Sequence, residues 1–100
     1  MDTILSINLI ASNPNVRGGR PCIAGTGLRV SDVVIASIYH LQTPDEIAVG
    51  FDISLAQVYA ALAYYYEHKD ELDQDIRQQV TTAKALKDQH LANGGRSILP

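Results

Sequence analysis

The stretch Thr43–Tyr66, TPDEIAVGFDISLAQVYAALAYYY, carries two helix starts and the short link between them, and the rest of the chain reads as its support. Thr43, Pro44 and Glu46 spell an N-cap, a first-turn proline and the returning acid of a capping box. Ser54 followed by Gln57 repeats the device, the serine taking orphan backbone N–H groups and the glutamine reaching back to the cap. Between them, Gly50 can take the positive φ that ends the first helix, and Asp52 tolerates that conformation better than most side chains. The expectation is a short helix, a tight turn and a longer helix.

Ile47, Phe51, Ile53, Val58 and Leu62 place apolar side chains on the facing sides of both helices, so two helices pinned this way must cross at an angle. Ala48 is small enough to let the second helix come close. In its order of cap, Ile-Ala, link, apolar residue and valine, the stretch resembles the helix-turn-helix of DNA-binding proteins. It departs at two positions: Asp52 stands where such motifs usually carry glycine, and Ala61 where they usually carry a larger aliphatic residue. An ordinary helical hairpin inside a small core is the alternative that these residues leave open.

One hundred residues, 46% hydrophobic and 19% charged, make one soluble domain with a modest core. No apolar run approaches the roughly 18 residues of a membrane span, and no basic segment precedes an apolar signal core at the N-terminus. A cytoplasmic protein with no membrane partner is expected. The single cysteine, Cys22, cannot form an intrachain disulfide and reads as a buried structural thiol in a short strand.

The net charge of −3 hides a division. Residues 42 to 75 hold eight acids (Asp45, Glu46, Asp52, Glu67, Asp70, Glu71, Asp73, Asp75) against Lys69 alone, while Arg17, Arg20 and Arg29 lie before them and Arg77, Lys84, Lys87 and Arg96 after. An anion should bind towards the ends of the chain, because phosphate contacts dominate nucleic-acid affinity and the acidic centre repels them.

Ile4–Ala11 alternates as a first strand, Asn13-Pro14-Asn15 and Gly18-Gly19 mark two reversals, and Cys22–Ala24 and Leu28–Val30 are brief extended pieces around Gly25-Thr26-Gly27. The glycine-rich run lacks the Gly-Lys-Ser/Thr ending of a phosphate loop, so turns are the better use for it. Ser31 reads as the cap of a helix carrying Val33, Val34, Ile38 and Leu41 and ending near His40. After the tyrosine run Tyr64-Tyr65-Tyr66, of which at least one ring must face outward beside Ala60, Ala61 and Ala63, a thin stripe of Ile76, Val80, Ala83, Leu86 and Leu91 predicts a fourth helix. His40, His68 and His90 are scattered and Cys22 has no histidine near it in sequence, so neither a metal, a cofactor nor a catalytic constellation is expected, and the protein reads as no enzyme.

Taken together, Asn13-Pro14, Gly19-Arg20-Pro21-Cys22-Ile23-Ala24-Gly25-Thr26, Arg29-Val30, Thr43-Pro44-Asp45-Glu46-Ile47 and Ala60-Ala61-Leu62-Ala63-Tyr64-Tyr65 resemble the small prokaryotic proteins of domain-of-unknown-function family 433, over roughly residues 10 to 72. The resemblance implies a mainly α fold, with a strand-bearing N-terminal β arm on a homeodomain-like three-helix core. It also implies an antitoxin-like role beside a nuclease-like toxin of the PIN-related kind. Many members carry an arginine directly after the Gly-Thr, where this chain has Gly27 and places its arginine at Arg29. The helix beyond Leu72 lies outside the resemblance.

The expected organisation is a single domain with a β arm over 1–30, a three-helix core over 31–69, a C-terminal helix over 70–92 and a loose tail over 93–100. The expected function is an antitoxin-like binding protein that pairs with a nuclease-type toxin, with binding to its own promoter as a second activity; a dimeric protein-interaction adaptor that never touches DNA is the alternative. For DNA, Ser54 and Gln57 would reach base edges and Arg17, Arg20 and Arg29 would hold phosphates. For the toxin, Tyr64, Glu67, Asp70, Glu71 and Asp73 would dock at a basic cleft rim. Open-edged strands, the alanine-tyrosine face and the thin stripe together predict a homodimer.

Overall fold

Proline at position 21 has no N–H to donate, but its carbonyl accepts from Val30 N at 2.9 Å, and Ile23 N donates to Leu28 O at 2.9 Å. These two bonds close Pro21–Ala24 and Leu28–Val30 into a tight hairpin. Its turn uses Gly25 at φ +78°, and Thr26 Oγ1 locks it by donating to Ile23 O (2.9 Å) and accepting from Leu28 N (3.0 Å). In this computed structural model, which describes residues 1–92, the other edge of that piece is strand β2 (Cys22–Ile23), paired antiparallel with β1 (Ile10–Ala11) in the register Ile10↔Ile23 and Ala11↔Cys22. Ile23 is fully buried as a result.

The strand expected over Ile4–Ala11 is reduced to its last two residues. Ala24 N still reaches Leu9 O at 2.8 Å, but Gly25 then turns β2 away, and the residues before Leu9 run past its end without regular structure. The reversals expected nearer the middle of the arm are present. Asn13 Oδ1 accepts from Asn15 N at 2.9 Å, and Arg17, Gly18 and Gly19 take three successive left-handed conformations at φ 51°, 65° and 83°.

Helix α1 (Val30–Val34) starts two residues earlier than expected, because Ser31 is not its cap. Arg29 holds the cap position, and Asp32 accepts from Arg29 N at 2.9 Å while pairing with the Arg29 guanidinium at 2.8 Å. Ser31 is instead buried inside the helix with no hydrogen-bond partner for its Oγ. The helix continues over Ile35–Tyr39 with a wider turn, His40 N donating to Ile35 O (3.1 Å), and stops where Leu41 takes φ +54°.

Helices α2 (Pro44–Phe51) and α3 (Leu55–Glu67) follow as the capping signals require, and their axes meet at 113°. The core of this unit is Ile23, Val30, Val33, Val34 and Ala36 against Ile47, Val58, Ala61 and Tyr65, all buried. The small residue at Ala61 is what its fully buried position selects. This is the mainly helical, strand-armed, three-helix fold that the sequence predicts.

A first compact unit ends at Lys69 and a second begins at Asp70. The second holds helix α4 (Lys69–Ala92) from Asp70 onward, and the first turn of that helix carries Asp70 and Glu71, where carboxylates face the positive end of the helix dipole. Of its apolar positions Leu72 and Ile76 are buried, while Val80, Ala83 and Leu86 are exposed, so the expected stripe is covered only at its start. The expected tail, 93–100, and the side chain of Leu91 lie outside the described residues. Among the described residues no single helix is long and apolar enough to cross a membrane.

Candidate functional site

Both halves of each capping box are formed. Thr43 Oγ1 accepts from Glu46 N (3.2 Å) while Glu46 Oε1 accepts from Thr43 N (2.9 Å), and Ser54 Oγ accepts from Gln57 N (3.1 Å) while Gln57 Oε1 accepts from Ser54 N (2.7 Å). The hydrogen bonds from Thr43 hold the Glu46 carboxyl below its ordinary value. Between the boxes the left-handed residue is Asp52 at φ +56°, not Gly50, which stays inside α2. Asp52 therefore does the work of the glycine usual in helix-turn-helix links. Ser54 and Gln57 do lie at the start of α3, but they spend their hydrogen bonds on each other, and Gln57 is half-buried.

The three arginines sit on the turns of the arm. Arg17 Nε donates to Gly27 O (2.9 Å), Arg20 Nη1 donates weakly to Arg17 O (3.4 Å), and Arg29 forms the two-pronged pair with Asp32. Arg17 and Arg20 are exposed; Arg29 is half-buried and its charge is matched by the carboxylate. Near them Cys22 is buried, its thiol donating to Arg20 O at 3.3 Å. Burial pushes that thiol above its ordinary value against the opposing pull of the Arg17 charge, which suits an inert structural group. A cleft of about 460 Å³ lined by Arg17, Asp32, His40 and Phe51 among others lies on the same unit.

Helix α3 shows three faces. At roughly 100° per residue, Val58, Ala61 and Tyr65 turn into the core, Ala60, Ala63, Tyr64 and Glu67 turn towards the N-terminal arm, and Leu55, Tyr59, Leu62 and Tyr66 form a stripe on the third side. Tyr66 is 65% exposed, Tyr59 54% and Leu55 42%. Tyr64 is half-buried, its ring stacked on His68 at 4.1 Å, and His68 Nδ1–H donates to Tyr64 O at 3.1 Å. The alanine-tyrosine face expected from the sequence is thus divided: Ala61 and Tyr65 belong to the core, and Tyr66 stays outside. Leu55 and Tyr59 complete the exposed stripe. Their spacing with Leu62 and Tyr66, at i, i+4, i+7 and i+11, is the signal that would have found them.

The expected acidic segment is spread over two elements. Tyr64 and Glu67 end α3 in the first unit, and Asp70, Glu71 and Asp73 open α4 in the second, with Asp70 and Glu71 exposed and Asp73 half-buried. Among the described residues no cluster of histidine, cysteine and acids is arranged to hold a metal ion.

The family model described as "Protein of unknown function (DUF433)" matches residues 10–65, which span the arm from β1, α1, α2 and nearly all of α3. No curated protein and no solved structure matches the chain.

Proposed function

The chain belongs to the DUF433 family, and from that premise we propose that it is an antitoxin-like binding module that docks a protein partner on the outward stripe of α3. The observation that carries this reading is the composition of that stripe. In a helix-turn-helix that reads DNA, the outward side of the second helix enters the major groove between two rows of phosphates. Here it presents Leu55, Tyr59 and Tyr66, and the span from Pro44 to Glu67 holds Asp45, Glu46, Asp52 and Glu67 with no lysine or arginine. Such a surface repels phosphate and favours protein, since exposed tyrosines bring large contact area at small entropic cost. The partner that fits is a nuclease-type toxin, whose RNA- or DNA-binding cleft has a basic rim. Glu67, Asp70 and Glu71 would steer association with it electrostatically.

Promoter binding is the second reading, favoured by the 113° crossing of α2 and α3 and by Asp52 at the link. In that reading Arg17, Arg20 and Arg29 supply the phosphate contacts.

The test is calorimetry of the chain against a nuclease-type protein encoded beside it. Tyr59→Ala with Tyr66→Ala is expected to weaken the complex by about 100-fold, the loss typical of aromatic anchors, with the circular dichroism spectrum unchanged. An affinity unaltered by the double substitution would remove the stripe from the interface. A shift of promoter DNA at low salt that disappears when the three arginines become alanine would favour the second reading.

A further inference from the structure

We propose that the N-terminal arm, Ile4–Leu9, pairs with the same arm of a second copy of the chain, joining two β1–β2 pairs into one continuous sheet. This goes beyond the partner reading above and uses a different side of α3.

The arm has the residue alternation of a strand and lacks a neighbour. Its register with β2 runs out where Gly25 turns away, and among the described residues no backbone hydrogen bond outside the helices and strands involves residues 1–8. Once extended, six residues at about 3.3 Å each span roughly 20 Å, with the edge away from β2 open and only Leu9 O held on the β2 side, a template for strand addition. The side chains make the exposure more costly. Ile4 is 90% exposed, Leu5 86% and Ile7 78%, although Leu5 and Ile7 stand beside a groove of about 400 Å³ whose far wall is Ala60, Ala63 and Tyr64 of α3. One wall of an apolar groove is present and its cover is thin.

A second copy supplies the cover. The alternation places Leu5, Ile7 and Leu9 on one face of the arm and Ser6 and Asn8 on the other. Antiparallel pairing about a two-fold axis at Ile7 sets Ile7 opposite its mate and Leu5 opposite Leu9, so the apolar face is shared by both copies. The order becomes β2–β1–β1–β2, four strands where an isolated pair is marginal, with one α3 groove at each end of the apolar face. The contact is isologous and closed, as a stable dimer requires. Area supports the same occupant. Each protomer contributes Leu5 and Ile7 on the shared face, Ile4 on the opposite face and the backbone edge of six residues, all left exposed in the single chain.

Sedimentation equilibrium of the whole chain at low micromolar concentration is expected to return twice the monomer mass. Asn8→Pro removes a ladder donor on the edge away from β2, outside the folded core, and is expected to raise the dimer dissociation constant at least about 100-fold, with the helical circular dichroism signal kept. Ile7→Cys is expected to form a covalent dimer on mild oxidation, while Val49→Cys, exposed on α2, is not. A monomeric unmodified chain, a dimer unaffected by Asn8→Pro, or one not trapped by Ile7→Cys would overturn the proposal.

Discussion

Replacing Ser54 by alanine separates a structural role for this residue from a DNA-reading one. The hydroxyl accepts from Gln57 N at 3.1 Å at the exposed start of α3, so its loss leaves one first-turn N–H to water and loosens the reciprocal bond from Ser54 N to Gln57 Oε1. N-cap replacement by alanine costs about 1 kcal/mol, which in a unit of this size lowers the melting temperature by about 4–8 °C. Ser54→Gly should cost only about a few tenths of a kcal/mol. Gln57→Ala removes the other half of the box and should cost about 0.5 kcal/mol, with a coupling of about the same size in the double substitution. Urea unfolding followed by tyrosine fluorescence is the suitable assay, because all five tyrosines (39, 59, 64, 65 and 66) fall in the first unit and report on it alone. If Ser54→Ala left the midpoint unchanged, or if the two substitutions were strictly additive, the capping argument would be refuted. A loss of promoter binding with stability intact would place the hydroxyl at a base edge.

Asp52 holds φ +56° with an exposed side chain, so Asp52→Gly should stabilise by about 0.5–1 kcal/mol in thermal unfolding, and Asp52→Val should destabilise by about 1–2 kcal/mol or more. The Glu46 carboxyl is held below its ordinary value of 4.5 by the hydrogen bonds from Thr43, so its contribution is fully present above that value and is lost as pH falls through the lower folded value. Glu46→Gln keeps an acceptor for Thr43 N but does not titrate; its stability should therefore fall less steeply below pH 4.5 in acid unfolding followed by circular dichroism.

Legibility followed the range of the interactions. Thr43, Glu46, Ser54 and Gln57 could be assigned correctly because a capping box closes within four residues, so the pattern and the hydrogen bonds are the same object. Where two local solutions compete the reading slipped. Ser31 is a better cap by type than Arg29, yet Asp32 both accepts from Arg29 N and pairs with its side chain, which draws the start of α1 back and buries the serine. The length of β1 was not legible, since a strand ends where its partner ends, and the partner ends at Gly25 for reasons of its own hairpin. The end of the first helix near His40 was legible, but the left-handed conformation of Leu41 that follows it was not. Leucine has no preference for φ +54°, so nothing in the residue type marks the reversal.

The candidate site shows the same division between shape and surface. Two caps, an αL residue and buried Ile47 and Val58 lie where α2 and α3 cross at 113°, and each serves the crossing itself. The motif's spacing therefore reports a crossing angle, and what the crossing serves is decided by the side of α3 left over after the core and the arm have each taken a face. On that remaining side a phosphate-binding helix needs cations, because backbone phosphates dominate affinity and a carboxylate beside them weakens it. The side has two tyrosines and two leucines, with no cation between Pro44 and Glu67. The same scaffold angle that lets a helix enter a DNA groove also lifts it clear of its own core, which is what a protein-binding helix needs. On the reading proposed above, the aromatic stripe raised in that way would serve as the anchor for a protein partner.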